Sequence, residues 1–289
     1  MKVAGFSFVR NGVKYGYPFK QSILSVLPLV DIFVINLGNS EDETNKVVDS
    51  LPPEKIKKIY SVWDESLKTG GKVLAVETNK ALDATPEDAD WLFYIQGDEV
   101  IHENDYDEIR SQMLRYKDDV EIDGLLFRYF HFYGSYNWLG DGRSWYPFEI
   151  RVIKNNKAIR SYKDAQGFRW EHDKKLKVKL INSHIYHYGW VRNPVVMSRK
   201  QKAFGSLYSG KKAEVGVEES FDYSGIDSLA HFDGTHPKVM QQLVAAETWN
   251  VGRNIAEKKF KNLKHKLYYF LDKKFGWRPF SYKNYKLIR

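Results

Sequence analysis

The first hundred residues alternate between apolar runs and amphipathic segments. Four runs are rich in β-branched and aromatic residues and predict strands, and the run from Asp31 to Leu37 is continuous rather than alternating, as is typical of a strand buried on both faces of a parallel sheet. They are Val3 to Val9, Asp31 to Leu37, Ile56 to Val62 and Trp91 to Gln96. Between them lie segments with helical spacing, of which Lys72 to Leu82 is the clearest. Strand and helix alternate as in right-handed βαβ units, so the pattern predicts an α/β fold with a mostly parallel central sheet flanked by helices.

The pattern changes after Gly97. It predicts a helix, then three strands interrupted by a loop dense in Gly, Trp and Tyr, and then a mostly helical remainder. The helix is Asp105 to Tyr116, the strands are Gly124 to Tyr133, Phe148 to Lys154 and Val178 to Tyr188, and the loop is Tyr136 to Tyr146. The later helical segments are Val196 to Tyr208, Pro237 to Ala256, and a stripe formed by Phe260, Leu263, Leu267, Phe270 and Leu271.

The net charge of +8 is concentrated at the C-terminus. From Ala256 to Arg289 there are eleven Lys or Arg and two Asp or Glu, whereas the first 255 residues hold 34 basic and 35 acidic residues. This basic segment also contains nine aromatic residues. Three interpretations remain open: a helix packed on the body, an attachment to anionic lipid, and a contact with nucleic acid. We expect no nucleic acid, since that interpretation depends on the tail alone.

Composition narrows the class of protein. With 43% hydrophobic residues and 289 residues in all, the chain can bury a large core, and the absence of cysteine excludes disulfides, thiolate zinc sites and cysteine nucleophiles. No signal peptide, membrane-spanning run, P-loop or H-E-x-x-H pattern is recognisable. We therefore expect a cytoplasmic protein, with the basic tail offering a peripheral attachment at the inner face of the membrane.

Polar residues directly after the predicted strands are the first candidates for chemistry, because ligands of open α/β sheets bind beyond the carboxyl ends of the strands. The strand Trp91 to Gln96 runs into Gly97, Asp98 and Glu99. Carboxylates at such a strand tip suit a hard cation, Mg²⁺ or Mn²⁺, that bridges them to phosphates. Acidic loops after strands are also commonly just solvated, so this signal is weak by itself.

Six segments, in order, resemble those of family 2 glycosyltransferases. FSFVRNG and VINLGNSEDET resemble the first two strands with their polar ends, GGKVLAVETNKALDAT resembles the following helix, and WLFYIQGDEVIHE resembles the strand that bears the DXD-type motif. YPFEIRVIKNNKAIR resembles the strand that carries an arginine, and HIYHYGWVRNPVVMSRKQKAFG resembles the His-aromatic-Gly element with its basic helix. The resemblance covers much of the first 205 residues.

The resemblance implies a GT-A (Rossmann-like) catalytic domain over residues 1–205, with a nucleotide-sugar-binding half at 1–100 and an acceptor half at 101–205. Residues 206–289 would form a helical, basic extension. The implied activity is that of a hexosyltransferase-type glycosyltransferase, which transfers a sugar with inversion from a UDP- or GDP-linked donor to a glycan or lipid-linked acceptor, as in polysaccharide or lipopolysaccharide biosynthesis. Gln96 replaces the usual first aspartate of the DXD motif, which puts the metal requirement in question.

By the same resemblance, a set of residues would bind the donor nucleotide and diphosphate. They are Phe8, Arg10, Asn11, Asn36, Lys72, Asn79, Gln96, Gly97 and Arg192. Asp98 and His187 would hold Mn²⁺ or Mg²⁺. The alternatives are that Arg10 and Asn11 only cap a strand, that Lys72 and Asn79 are plain surface residues, and that His184 and His187, which would point to opposite faces of a strand, are both structural.

Inverting transfer needs a carboxylate that takes the proton of the acceptor hydroxyl as it attacks the anomeric carbon. The candidates are Asp164, Glu149, Glu171 and Asp141. Asp164 is placed first because it lies in a loop near Gly167, whereas Glu149 alternates with Arg151 on a strand and is also a candidate for a structural ion pair. The alternative function is a non-catalytic protein that binds carbohydrate or nucleotide sugar with a decayed metal site.

Overall fold

A computed structural model describes residues 1–64, 66–67, 69–209, 219–251 and 258–289. The α-helices are α1 (Phe19–Val26), α2 (Thr44–Asp49), α3 (Lys72–Asp83), α4 (Tyr106–Arg115), α5 (Pro194–Ser209), α6 (Gln241–Ala245) and α7 (Leu263–Phe275). The strands are β1 (Val3–Val9), β2 (Ile32–Gly38), β3 (Ile56–Ser61), β4 (Trp91–Tyr94), β5 (Glu99–Ile101), β6 (Gly124–Tyr133), β7 (Ser135–Gly140), β8 (Phe148–Lys154), β9 (Ile159–Ser161), β10 (Phe168–Trp170), β11 (Lys174–Lys175), β12 (Lys177–Trp190), β13 (Leu229–His231) and β14 (Lys286–Leu287).

The first half of the chain forms a parallel sheet in the order β3-β2-β1-β4. Nearly every residue of β1, β2 and β4 is buried, because α1 and α3 cover the sheet on its two faces and leave no solvated side. The predicted α/β fold class, with parallel strands in this half and flanking helices, is confirmed.

The second half continues the same sheet with mixed pairing. Strand β8 runs antiparallel to β4, β6 runs antiparallel to β8, and the long strand β12 runs parallel to β6. Strand β5, directly after the Gly97 turn, pairs antiparallel with β12. In this register His187 lies beside both His131 and Glu99, so residues far apart in sequence meet near the Asp98 turn.

Two local predictions need correction. The segment 136–146 was expected to be a loop, but its first part is strand β7, whose Leu139 pairs with Phe132 of β6. The segment 237–256 was expected to be helical, yet regular helix ends at Ala245, and residues 252–256 of that prediction lie outside the described residues. Trp249 explains the early end, because its indole N–H donates to the carbonyl of Gly134, 2.7 Å away, and holds the chain against β6.

The C-terminal segment attaches to the body without burying the predicted apolar stripe. None of the residues of α7 is buried, and Leu267 and Phe270 are each at least half exposed. Tyr269, on the opposite side of the helix, donates a hydrogen bond to Asp141. The interpretation that the stripe packs on the body is therefore wrong. Among the described residues, no helix is long and apolar enough to cross a membrane.

Candidate active site

A cavity of about 580 Å³ opens beyond the carboxyl ends of β1, β3 and β4. The residues that follow these strands line it, as the strand-end rule predicts for open α/β sheets. Helix α5 closes the opposite side with Lys200, Phe204 and Tyr208, and the first turn of α3 contributes Val73 and Leu74. The cavity is large enough for a small organic ligand.

One end of the cavity is aromatic. The rings of Phe8 and Trp63 lie 5.8 Å apart, and the guanidinium of Arg10 sits 5.2 Å from the centre of the Trp63 ring. Phe204 and Leu207 add apolar surface. Within the described part of the chain, Arg10 Nε and Trp63 Nε1 are buried donors without a hydrogen-bond partner. Two flat rings beside the guanidinium of Arg10 form a surface suited to a planar heterocycle.

Asn11 shapes the turn beside this aromatic end. Its backbone adopts a left-handed conformation, with φ of 52°, which asparagine tolerates better than most residues. Its side-chain oxygen accepts from the backbone N–H of Glu41 at 2.8 Å, and its own N–H donates to the hydroxyl of Ser40. Asn11 thus joins the turns after β1 and β2 and lines the cavity.

Asp98 stands at the other end of the cavity, after the Gly97 turn. Burial raises the pKa of its carboxyl, but Lys200, His187 and Arg192 lower it, so that the net pKa lies below its usual value. Asp98 Oδ2 lies 3.5 Å from Lys200 Nζ and 3.8 Å from His187 Nε2. The carboxylate is therefore ionised at neutral pH and faces the cavity.

Lys200 is a buried cation beside Asp98. Its ammonium donates to the carbonyl of Gly189 at 2.7 Å and lies 4.9 Å from the centre of the Tyr17 ring. Burial, with Arg192 nearby, lowers the pKa of Lys200 to about 7. An anionic ligand in the cavity would stabilise its charged form.

His187 is held by a second buried histidine. His131 Nδ1 and His187 Nδ1 are 2.9 Å apart, and His131 Nε2 lies 2.7 Å from the carbonyl oxygen of Tyr146. Burial lowers the pKa of both rings, that of His131 well below its usual value. Both rings are therefore neutral at pH 7.

Asp98 Oδ2 and His187 Nε2, 3.8 Å apart, are the protein atoms that could hold a divalent cation at this end of the cavity. Gly189 leaves the space between them open, since a Cβ there would collide with His187 Nε2 and lie 3.0 Å from Asp98 Oδ2. Among the described residues no group of three or more His, Asp and Glu that could hold a metal ion is present, so a cation here would have at most these two side chains as ligands. Mg²⁺ and Mn²⁺ commonly bind to one or two protein ligands together with substrate phosphates and water, so two suffice for them.

Glu99 belongs to the core and is not available to a ligand. Arg151 binds it with two hydrogen bonds of 2.7 Å, and neither side chain is exposed to solvent. The hydroxyl of Tyr129 also donates to Glu99, at 2.7 Å. The expectation that the strand tip delivers two carboxylates to a cation is wrong for Glu99, because its side chain points into the sheet while that of Asp98 faces the cavity.

Asp164 is the one carboxylate of the four base candidates that lines the cavity. Its flanking residues, Lys163 and Ala165, both have positive φ, of 54° and 61°. Such strain in non-glycine residues costs free energy and concentrates at functional sites. Gln96, which also lines the cavity, donates to the carbonyl of Ala165 at 3.1 Å and ties this loop to the Asp98 turn.

The other three carboxylates lie elsewhere. Glu149 is buried, its carboxylate accepts from Asn284, and burial raises its pKa to about 7, but it does not line the cavity. Asp141 accepts a hydrogen bond from Tyr269 and pairs with Lys273, 3.2 Å away. Glu171 is exposed directly after β10 and does not line the cavity.

Of the residues assigned to the nucleotide, Phe8, Arg10, Asn11, Gln96 and Gly97 line the cavity. Four others do not. Asn36 is buried and donates to Glu77, Lys72 is exposed at the start of α3, and Asn79 exchanges two hydrogen bonds with the backbone of Ser161. Arg192 lies behind the cavity wall, with its guanidinium 4.6 Å from the centre of the Tyr17 ring and a hydrogen bond to the Tyr15 carbonyl.

Three residues of the site escaped the sequence reasoning. Trp63 follows β3, so the strand-end rule would have found it had it been applied to that strand. Lys200 gives only a weak signal in the sequence, because a basic residue on a helix can equally be solvated, but in the structure α5 turns it inward to the cavity. His131 gave no signal, because only the pairing of β6 with β12 brings it to His187.

No family model matches the chain, and no curated protein matches it. Among solved structures, S. aureus TarS residues 1–349 is 14% identical over 72% of this chain and 65% of that one, with a TM-score of 0.38. HddC from Yersinia pseudotuberculosis is 13% identical over 70% of this chain and 99% of that one, with a TM-score of 0.35. Glucosyl-3-phosphoglycerate synthase from Mycobacterium tuberculosis, solved with Mn²⁺, UDP and phosphoglyceric acid, is 15% identical over 45% and 43%, with a TM-score of 0.31.

The chain thus spans about two thirds of the length of the TarS fragment that it matches. All three similarities are at low identity.

Proposed function

We propose that this protein is a GT-A glycosyltransferase that transfers a sugar from a nucleoside diphosphate donor to a glycan or lipid-linked acceptor, with inversion. The observation that carries the proposal is the convergence of Asp98, His187 and Lys200 at one end of a cavity whose other end is aromatic. The sequence resemblance, with its strand ends and QGD turn, supports the same assignment.

The aromatic end would take the nucleobase. Phe8 and Trp63 offer ring faces, and the guanidinium of Arg10, which lines the same end of the cavity, can donate hydrogen bonds to base carbonyls. Uracil and guanine both carry such carbonyls, which agrees with a UDP- or GDP-linked donor. The diphosphate would then lie between this end and Asp98, within reach of Lys200.

Asp98 and His187 would hold Mn²⁺ or Mg²⁺, which when bound neutralises the charge that develops on the departing diphosphate. Lys200 adds a protein cation at the same place, and a buried cation that needs no reorganisation is effective at stabilising such charge. Helix α5 would cover the donor on the side opposite the strand ends.

Asp164 would accept the proton of the attacking hydroxyl. It faces the cavity and receives a hydrogen bond from Tyr208 at 2.9 Å, which orients the carboxylate. The strained loop around it supports a functional role.

The first test is thermal unfolding with UDP, GDP, CMP and dTDP, each with and without Mn²⁺. A ligand at ~100 times its dissociation constant stabilises by ~2.7 kcal/mol, which raises the unfolding temperature by about 5 °C in a chain of this size. We expect one nucleoside diphosphate to do so, and more strongly with Mn²⁺. Lys72→Ala, which is exposed outside the cavity, serves as the control and should respond like the wild type. No rise with any nucleotide would contradict the proposal.

A second candidate function is binding of nucleotide sugar without transfer. It is favoured by Gln96, whose amide points to Ala165 where the family resemblance expects a carboxylate. Nucleotide-dependent stabilisation without any release of nucleoside diphosphate from a sugar donor would support this alternative.

The partner of the C-terminal segment is proposed to be an anionic membrane surface, where lipid-linked acceptors are found. Leu263, Leu267 and Phe270 form an exposed apolar row on α7. Lys264, Lys266 and Lys274 are exposed on the same helix. Apolar side chains that insert at the headgroup level, beside lysines that contact anionic lipid, are typical of interfacial helices.

Neutralising Lys266 and Lys274 with glutamine is expected to weaken binding to phosphatidylserine vesicles by ~30-fold, since each lysine near an anionic surface contributes about 1 kcal/mol. Vesicle co-sedimentation at low and high salt measures the effect. The matched control replaces Lys57 and Lys72, both exposed on the body, with glutamine. Equal binding of the two double variants, or no binding by the wild type, would eliminate the membrane partner.

A further inference from the structure

Two buried histidines on neighbouring strands connect the site to the core. His131 on β6 stands opposite His187 on β12, and their Nδ1 atoms are 2.9 Å apart. The His131 ring packs against Tyr129 and Trp145, with ring centres 5.1 and 5.0 Å away, and is almost completely buried. These contacts fix the orientation of the His131 ring.

The hydrogen-bond partners determine which nitrogens carry protons. A carbonyl oxygen can only accept, so His131 Nε2, which lies 2.7 Å from the Tyr146 carbonyl, must carry a proton. The 2.9 Å contact between the two Nδ1 atoms needs one donor and one acceptor. The rings of Tyr129, Trp145 and Tyr146 enclose His131, where a second proton would add a charge that burial disfavours, so its Nδ1 is the acceptor. His187 Nδ1 is then the donor of the bond between the two rings, and His187 Nε2 is left with its lone pair.

That lone pair is on the nitrogen that lies 3.8 Å from Asp98 Oδ2. Two electron-pair donors next to one open space, the space kept free by Gly189, form a place for a cation. In the other tautomer His187 Nε2–H would donate a hydrogen bond toward Asp98 and occupy that place with a proton.

We infer that His131 is a positioning residue. It donates from Nε2 to the Tyr146 carbonyl and accepts at Nδ1 from His187 Nδ1, and these two bonds fix the tautomer of His187 in which Nε2 is free to bind a divalent cation beside Asp98. The inference builds on the proposed function, since it assigns a partner to the proposed metal ligand. It adds a residue that does not touch donor, acceptor or cation.

The test uses His131→Phe, which keeps a flat ring against Tyr129 and Trp145 but cannot accept from His187. His131→Gln is the conservative variant, because an amide can donate to the Tyr146 carbonyl and accept from His187. His184→Phe is the matched control, since His184 stacks on Phe130, with ring centres 4.4 Å apart, away from the cavity.

Two measurements are made on the full chain without donor or acceptor. Long-range ¹H–¹⁵N NMR reads the tautomer of His187, whose signals are assigned by their loss in His187→Gln. Electron paramagnetic resonance of free Mn²⁺ gives the metal affinity. We expect Nδ1–H in the wild type, loss of that preference in His131→Phe with a 10- to 100-fold weaker Mn²⁺ affinity, partial recovery in His131→Gln and no change in His184→Phe.

A wild-type His187 protonated at Nε2, or an unchanged tautomer in His131→Phe, would overturn the inference. The proposed metal site fails by a different result: a wild type that shows the Nδ1–H tautomer but binds no Mn²⁺ even with nucleoside diphosphate. In that case the tautomer assignment stands and the metal assignment falls.

Discussion

Replacing Asp98 with asparagine is expected to remove the metal dependence of nucleoside diphosphate binding and to lower sugar transfer by ~10²-fold or more. Among the described residues Asp98 is the one anionic side chain proposed to bind the cation, and charge stabilisation by a metal is worth several kcal/mol in the transition state. The change is isosteric, and it leaves the buried Glu99 and Arg151 pair untouched. Calorimetric titration of nucleoside diphosphate with and without Mn²⁺ measures the binding part of the effect.

Asp64→Asn is the matched control for this variant. Asp64 lines the same cavity but lies at the Trp63 end, and its carboxylate accepts from Ser66 rather than facing His187. We expect its metal dependence to equal that of the wild type. If Asp98→Asn kept the full effect of Mn²⁺ on affinity, Asp98 would not be a metal ligand, and its carboxylate would serve only as the partner of Lys200.

Replacing Arg151 with methionine is expected to have the largest effect on stability. The change leaves the carboxylate of Glu99 buried without its partner, and removal of one member of a buried ion pair typically costs about 3–5 kcal/mol. In a chain of this size the unfolding temperature should fall by about 10 °C. Thermal unfolding followed by circular dichroism measures it.

The double variant Glu99→Gln with Arg151→Met tests the cause. It removes both charges but keeps an oxygen that accepts from Tyr129, so it should recover part of the lost stability. A double variant no more stable than Arg151→Met would show that packing around Arg151, not the unpaired carboxylate, is responsible.

Much of the sheet could be predicted because each strand is recognisable from its own short run of residues. The runs that became β1, β2 and β4 are apolar over nearly their whole length, as is typical of strands buried on both faces of a sheet. The same locality placed Arg10, Asn11 and Asp98 at the cavity, because a residue that directly follows a strand lies at the sheet edge.

The rest depended on contacts that sequence spacing does not reveal. His131 reaches His187 across 56 residues, and Asn284 reaches Glu149 across 135. Glu99 and Asp98 are neighbours in sequence, yet one faces the core and the other the cavity, because successive residues at a strand end point to opposite sides. Only the positions of Arg151 and Lys200 in space show which carboxylate has which role.

The apolar stripe of α7 is a case in which the sequence predicts burial that the structure does not have. Helical spacing of Leu263, Leu267 and Phe270 predicts an apolar face, but it does not say what covers that face. The helix instead contacts the body through Tyr269 and Asp141, and this contact turns the stripe toward solvent. An amphipathic pattern alone cannot distinguish a helix that packs on protein from one that lies on lipid.

Release of nucleoside diphosphate from UDP- and GDP-sugars in the absence of acceptor, measured with Mn²⁺ for the wild type and for Asp98→Asn, tests the central claim most directly. The account predicts slow, metal-stimulated release from one donor class by the wild type and essentially none by Asp98→Asn. Equal release by the two proteins, or none from any donor by a wild type that binds the nucleotide, would contradict the assignment of this site to sugar transfer.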